Sequence, residues 1–337
     1  MIDAGTAIER ALAFLARQQL PSGGFPVYMW RATPGAKPGR LDSAIFPASI
    51  IAHCLSYSSS EPAKAMLARA RQFLLNEMEP GGVWRYRASD HPHYSEIPPD
   101  VDDTACASAV LRQMGVSFPD NRRLILANRD SRGLFYTWIT PRFRWSRSLT
   151  YWKVVLPQLR HPRSLYRFWK LDGKPNDVDF VVNANVISYL GSSGMQPVID
   201  FIVDVIRRQK EVDCDKWYLN PLVIYYFISR CFAGGITELA VVREPVIERI
   251  RALGEENGDI GTTSLETAAA ICSFLNWNVD SDLDGMVSLL LRKQQKNGSW
   301  ERDALYGGGI MRWGSEECAT ALCLEALVRY AERERKR

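Results

Sequence analysis

The chain contains no run of about 20 apolar residues, so no part of it is expected to cross a bilayer as a helix. Met1 to Glu9 carries Asp3 and Glu9 and lacks a basic stretch ahead of an apolar core, so no signal peptide is expected. No C-x-x-C pair occurs among Cys54, Cys106, Cys214, Cys231, Cys272, Cys318 and Cys323. An odd number of thiols in apolar, helix-like stretches reads as reduced cysteines packed as small hydrophobes in a cytoplasmic protein. Histidine is scarce, and none follows His161 (the others are His53, His91 and His93). That argues against a zinc site that takes its imidazole from the second half of the chain. A D-D-x-x-D motif is also missing; Asp280-Ser-Asp-Leu-Asp has the wrong spacing and reads as a helix start. The net charge of +4 is too small for a dedicated nucleic-acid binder. Strand patterns are sparse, Val178 to Val182 being the best of them.

What is present is ordinary globular composition, 46% hydrophobic and 24% charged over 337 residues, with an aromatic share of 11% that includes 10 Trp. A repeat organises it. One unit recurs: an amphipathic helix, a Gly-rich turn with an aromatic, then a more apolar helix opening on a polar residue. The first unit runs Ile8, Leu12, Leu15, then Gln19 to Gly23-Gly24-Phe25, then Asp42-Ser-Ala-Ile-Phe. The second has Met66, Ala70 and Phe73, then Gly81-Gly82-Val83-Trp84, then Asp103-Thr-Ala. The third has Leu124 to Asn128, Gly133-Leu134-Phe135 and Asn183-Ala-Asn-Val. The fourth pairs Val198, Ile202 and Val205 with Leu222 to Phe232; the fifth pairs Val246, Ile250 and Leu253 with Leu265-Glu-Thr-Ala. The last pairs Met286 to Leu291 with Gln295-Lys-Asn-Gly298-Ser-Trp300 and Glu317-Cys-Ala-Thr. First helices with one apolar stripe belong outside, and second helices apolar most of the way round belong inside. The expected fold is all-α: an (α/α)6 barrel of six helix pairs, residues 1–337 forming one domain around a central cavity. An open helical solenoid is the alternative.

The chemistry lies in Asp100-Val101-Asp102-Asp103-Thr104-Ala105, after Ile97-Pro98-Pro99. Proline keeps its neighbour extended, so these acids enter a helix from a loop, with Asp102 or Asp103 as the N-cap. Three carboxylates in four residues repel one another, and in a dry cavity one of them keeps its proton at neutral pH. An Asp-rich cap or half of a metal site would use the same spacing.

D-x-D-D-T-A at the head of an inner helix resembles the motif of class II terpene cyclases. The turns Gln19…Gly23-x-Phe25 and Gln295…Gly298-x-Trp300 resemble that family's Q-x-x-x-G-x-W turns, with Gln295 one residue closer to its glycine and Glu77 in place of Gln in the second unit. A chain this short is similar to the single-domain cyclases of cyanobacterial meroterpenoid pathways, the merosterolic acid synthase type. The resemblance implies protonation-initiated polycyclisation of a geranylgeranyl chain carried on a dihydroxybenzoate. It gives the role of general acid to Asp102, with Asp100 and Asp103 positioning and polarising it. No metal is implied; Mg2+ enters only if the head group is a diphosphate.

Protonating an alkene needs an acid stronger than an isolated buried Asp, which hydrogen bonds to its carboxylate provide. Asn183 or Asn185 could supply one, and being two apart on a helix at most one points inward; Asn183 is taken as the candidate site residue. Cationic intermediates need electron-rich walls. The candidates are Trp30, Trp84, Tyr94, Trp217 and Trp313, the last in a Gly307-Gly-Gly loop read as flexible. Core packing would use the same aromatics. The base that removes the last proton has no signal in the sequence.

Residues 131–171 contain no acid and nine basic residues, interleaved with aromatics such as Trp138, Trp145 and Phe168. Three readings fit: a solvated insertion, a patch resting peripherally on an anionic membrane, and a basic cavity mouth for an anionic head group. Nucleic acid is not expected as a partner.

The rivals are few. Zinc-dependent protein prenyltransferases have a similar barrel but need the late His. An (α/α)6 glycosidase would need a second acid, such as Glu266 or Glu317, facing Asp102. A diterpene cyclase acting on geranylgeranyl diphosphate and a non-catalytic isoprenoid-binding protein remain as alternatives.

Overall fold

The computed structural model describes residues 3–33, 39–142, 149–171, 173–257, 259–279 and 283–337. The part of the basic segment at 143–148, which includes Trp145, and the acids at 280–282 lie outside the described residues.

The helices pair as the repeat requires. In chain order they are α1 (Ala4–Gln18) with α2 (Ile45–Leu55), and α3 (Glu61–Asn76) with α4 (Val101–Gln113). Then α5 (Arg122–Ala127), after the intervening α6 (Leu149–Val155) and α7 (Pro162–Leu171), pairs with α8 (Phe180–Leu190). The last three pairs are α9 (Gln196–Arg207) with α10 (Pro221–Ala233), α11 (Arg243–Asn257) with α12 (Ser264–Asn276), and α13 (Leu283–Lys293) with α14 (Glu316–Lys336). The outer α1 buries one stripe, Ala7, Ala11, Phe14 and Leu15, and leaves its other face wet. The inner α14 is buried at every position from Glu317 to Val328. Each second helix packs on the next, from α2 through α4, α8, α10 and α12 to α14, and α14 returns to α2. The ring is closed, as patterning predicts.

The turns clip this ring together. Gln19 Nε2 donates to the Gly23 carbonyl and to Met66 O on α3, both at 2.9 Å. Gln294 repeats the device, donating to Gly298 O at 3.1 Å and to Ala7 O on α1 at 2.9 Å. The glutamine of the last turn is therefore Gln294, not Gln295, and its spacing to glycine matches that of Gln19. Trp84 and Trp300 occupy equivalent sites, each indole N–H donating to an outer-helix carbonyl (Leu74 at 2.7 Å, Leu290 at 2.9 Å).

The all-α expectation needs correction. A four-stranded antiparallel sheet runs in the order β2-β1-β4-β3, from β1 (Val27–Arg31), β2 (Arg40–Asp42), β3 (Asp303–Gly308) and β4 (Met311–Ser315). Val-Tyr-Met-Trp suits a strand, and its partner β4 comes from the far end of the chain, with Met29 opposite Trp313. The sheet staples the first unit to the last. Trp313 thus stands in a strand and not in a flexible loop. Val178 to Val182, the best of the sparse strand patterns, runs into a helix, α8, which begins at Phe180.

None of the seven cysteines is in a disulfide, and six are buried. No described helix is long and apolar enough to cross a membrane.

Gly298 has φ +95°, and a Cβ there would collide with the Arg10 carbonyl oxygen of α1. Gly298→Ala should lower stability by about 3 kcal/mol, seen as a fall in Tm. Gly115→Ala should cost about 1 kcal/mol, since Gly115 also has a positive φ but nothing within 4 Å of its added carbon.

Candidate active site

The inner helices open at one end of the ring, and the acidic motif sits there. Asp100 caps α4: its side chain accepts the Asp103 N–H at 2.7 Å. The cap falls two or three residues earlier than expected, because the chain stays extended through Asp100 after the two prolines. Neighbours hold the entry on both sides, Asp100 N–H on Trp84 O at 3.2 Å and Val101 N–H on Thr137 O at 2.8 Å. Asp102 is left in the first turn with its carboxyl toward the ring interior.

Two donors meet it there. The Tyr218 hydroxyl donates to Asp102 Oδ2 at 2.7 Å, and Asn185 Nδ2 donates to Oδ1 at 2.8 Å. Tyr218 precedes α10 and is fixed by Asp215, whose Oδ1 accepts the Trp217 and Tyr218 N–H groups at 2.8 Å each. Burial pushes the Asp102 carboxyl above its ordinary range, while Tyr218, Asn185 and the charge of Arg230 act in the opposite sense. Asp100 is pushed up to about 7 by burial, against its hydrogen bonds from Asp103. Asp103 is driven well above the usual carboxylate range by burial and by the Asp100 charge. The pair behaves as one unit that holds a proton near neutrality.

Asp102 lines a cavity of about 190 Å3 whose wall is mostly apolar. Of the candidate aromatics, Trp217 and Trp313 line it. Trp84 does not; it is wholly buried between α3 and α4. Trp30 alternates with Met29 along β1, so Met29 takes the cavity side. Tyr94 lies outside, its hydroxyl donating to Glu79 Oε1 at 2.8 Å under the Arg85 guanidinium. Asn183 is structural: it clamps Phe135, accepting that residue's N–H at 2.8 Å and donating to its carbonyl at 3.0 Å. Asn185, not the candidate Asn183, is therefore the inward-pointing member of the two.

The rest of the wall was not read from the sequence. Phe46 of α2 meets Tyr218 edge-on at 6.0 Å and Tyr306 at 5.2 Å. Tyr306 stacks on Trp313 at 6.0 Å with their planes 5° apart. Tyr86, Trp138 and Phe168 complete it. Position at the head of an inner helix was the available signal for Phe46 and Tyr218; nothing local marks Tyr306 or Phe168. The basic segment therefore gives two aromatic side chains, Trp138 and Phe168, to the inner wall.

A second chamber of about 230 Å3 adjoins the first. Met29, Asp42, Arg87, Ile97 and Phe168 line both. It is polar, with Arg40, Arg87 and Arg167 beside His91, His93 and Glu96. Glu96 lies 3.7 Å from Arg87 and 3.9 Å from Arg167. Glu266 and Glu317 line neither chamber. Glu266 closes a capping box on α12, so a glycosidase pair with Asp102 does not form from these two. Among the described residues no group of three His, Cys, Asp or Glu could hold a metal ion.

No family model matches the chain, and no curated protein matches it. Solved structures do. A protein from Actinoplanes superposes with a TM-score of 0.71 at 16% identity, over 98% of this chain and 100% of the other. The type II terpene cyclase MstE from Scytonema, in complex with geranylgeranyl dihydroxybenzoate, gives 0.67 at 16% identity over 98% and 97%. The ent-copalyl diphosphate synthase from Streptomyces platensis gives 0.59 at 16% identity, over 88% of this chain and 52% of that one. The chain thus has the fold of type II terpene cyclases.

Asp100 supplies a pH test. Its raised pKa means the folded state keeps a proton that the unfolded state, near 3.9, has lost. Its contribution to stability is therefore full below about pH 4 and lost as pH rises through about 7. Asp100→Asn keeps a cap-competent side chain and should flatten this decline in chemical denaturation between pH 4 and 7.

Proposed function

We propose that the chain is a class II cyclase, working as one barrel. Asp102 protonates the terminal alkene of a geranylgeranyl chain, successive alkenes close rings onto the cation, and loss of a proton ends the reaction. The observation that carries this reading is a carboxyl raised by burial, held by two neutral donors, on the wall of an aromatic cavity. The protonated form is the reactive one, and the Tyr218 and Asn185 hydrogen bonds stabilise the carboxylate left behind. Faces of Trp217, Trp313 and Tyr306 stabilise passing cations by about 0.5–2 kcal/mol each. Asp100 and Asp103 position the helix entry and hold a shared proton beside Asp102.

The head group occupies the polar chamber. Arg40, Arg87 and Arg167 are partly offset there by Asp42 and Glu96, a balance that suits one carboxylate, such as that of a dihydroxybenzoate, better than a diphosphate. With such a head group no cofactor is needed; a diphosphate would bring its own Mg2+. We further assign the exposed Leu149 (78% accessible) and Tyr166 (67%), set among Lys153, Arg160 and Arg163, to peripheral contact with an anionic membrane from which an isoprenoid could enter.

Asp102→Asn should abolish conversion of geranylgeranyl dihydroxybenzoate, by more than about 1000-fold, while the variant folds and still binds the substrate. Product assays with and without EDTA should agree. Undiminished turnover by Asp102→Asn would remove Asp102 from its role, and substrate binding without turnover by the unmutated protein would favour an isoprenoid-binding protein. Strict Mg2+ dependence on geranylgeranyl diphosphate would favour the diterpene cyclase.

A further inference from the structure

We propose that Asp42 is the base that takes the last proton; this rests on the cyclase reading. Rings close away from the protonated end, so the final cation forms on the head-group side of the chain. Asp102 lines only the apolar chamber, and the proposed function puts the head group in the polar one. The base must therefore stand where the two meet. Asp42 lines both chambers and is buried.

Its hydrogen bonds are those of a proton acceptor. Trp313 Nε1 and the Tyr86 hydroxyl donate to Oδ2 at 3.1 and 3.2 Å. His91 Nε2 lies 3.0 Å from Oδ1. His91 Nδ1 accepts the His93 N–H at 3.0 Å, so the ring proton sits on Nε2 and points at Asp42. Burial and the Arg87 charge hold His91 below its usual pKa, in this neutral form. Donor-only indole N–H, imidazole N–H and phenol together match an ionised carboxylate.

Other groups at the junction fail as bases. The His91 lone pair is engaged by the backbone. Of the two chambers Glu96 lines only the polar one, and it is tied to Arg87, Arg167 and His93. Tyr86 and Tyr306 donate or share protons with each other at 3.0 Å and are weak acids raised further by burial.

In the step, a C–H bond beside the cationic carbon breaks. Its electron pair becomes the new C=C bond, and its proton goes to an Asp42 carboxylate oxygen. Asp102 is left ionised and Asp42 protonated, so one proton has crossed the cavity and the substrate has only isomerised. Solvent reaching the polar chamber takes the proton from Asp42, and Asp102 is reprotonated from water.

The test is product analysis with geranylgeranyl dihydroxybenzoate as probe. In Asp42→Asn the cascade still starts at Asp102. The native alkene should fall roughly tenfold or more as a share of product, replaced by alcohols from water capture and by alkene isomers. Asp42→Glu retains charge and fold and moves the carboxylate by one methylene, so its ratio of alkene isomers should also change. Unchanged product ratios in both variants, with the unmutated protein cyclising, would overturn the role of Asp42 alone. Failure of the unmutated protein to cyclise the probe would overturn the cyclase reading and this inference with it.

Discussion

Asp102 is drawn in two directions by its surroundings. Burial on the cavity wall raises its pKa and so favours the protonated form; hydrogen bonds from Tyr218 and Asn185 stabilise the carboxylate that losing the proton would leave. Neither influence alone suits the proposed chemistry. Burial without donors gives a protonated but feeble acid, and donors in water give an ionised one. The first turn of α4 adds its amide dipoles on the side of the carboxylate.

Much of the remaining structure keeps that arrangement in place. Tyr218 and Asn185 come from different units, so their convergence on one carboxyl needs the ring to be closed and in register. The Gln294 clip and the sheet joining β1 to β4 provide this at the seam, and the Gln19 clip does so between the first two units. At the far end of the inner helices an ion pair within α14, Glu325 with Arg329 at 2.8 Å, reaches its neighbours by hydrogen bonds: Glu325 accepts the Tyr226 hydroxyl of α10 and Arg329 donates to Asn276 of α12, both at 2.8 Å. Removing one member of such a buried set strands a charge, so the set holds the helices at fixed offsets.

Much of this was legible in the sequence because it is periodic or local. The inner and outer helices follow from their apolar faces. Asp100 to Asp103 announce themselves by density, whereas spacing says only that at most one of Asn183 and Asn185 points inward, and the candidate taken from the sequence, Asn183, is not that one. The illegible parts depend on partners distant in the chain. Arg40 to Asp42 is too short to read as a strand until β1 covers it, and β1 itself is paired across the seam with Met311 to Ser315. Trp30 and Met29 cannot be told apart until the sheet has an inside. Gln294 and Gln295 are adjacent and alike, but Gln294 stands from Gly298 as Gln19 stands from Gly23, so that choice was open to the sequence and the carbonyls they meet confirm it. Trp84 has the same composition signal as Trp313, yet a carbonyl of α3 claims its N–H and takes it out of the cavity.

The most direct measurement is turnover of geranylgeranyl dihydroxybenzoate in D2O, with the label located by NMR and mass spectrometry. Proton donation from Asp102 forms the cation on the outer, dimethyl carbon, so it predicts one deuterium per cyclised molecule, on the carbon that was the inner (=CH) end of the terminal alkene. Cyclised product without deuterium at that carbon would contradict it.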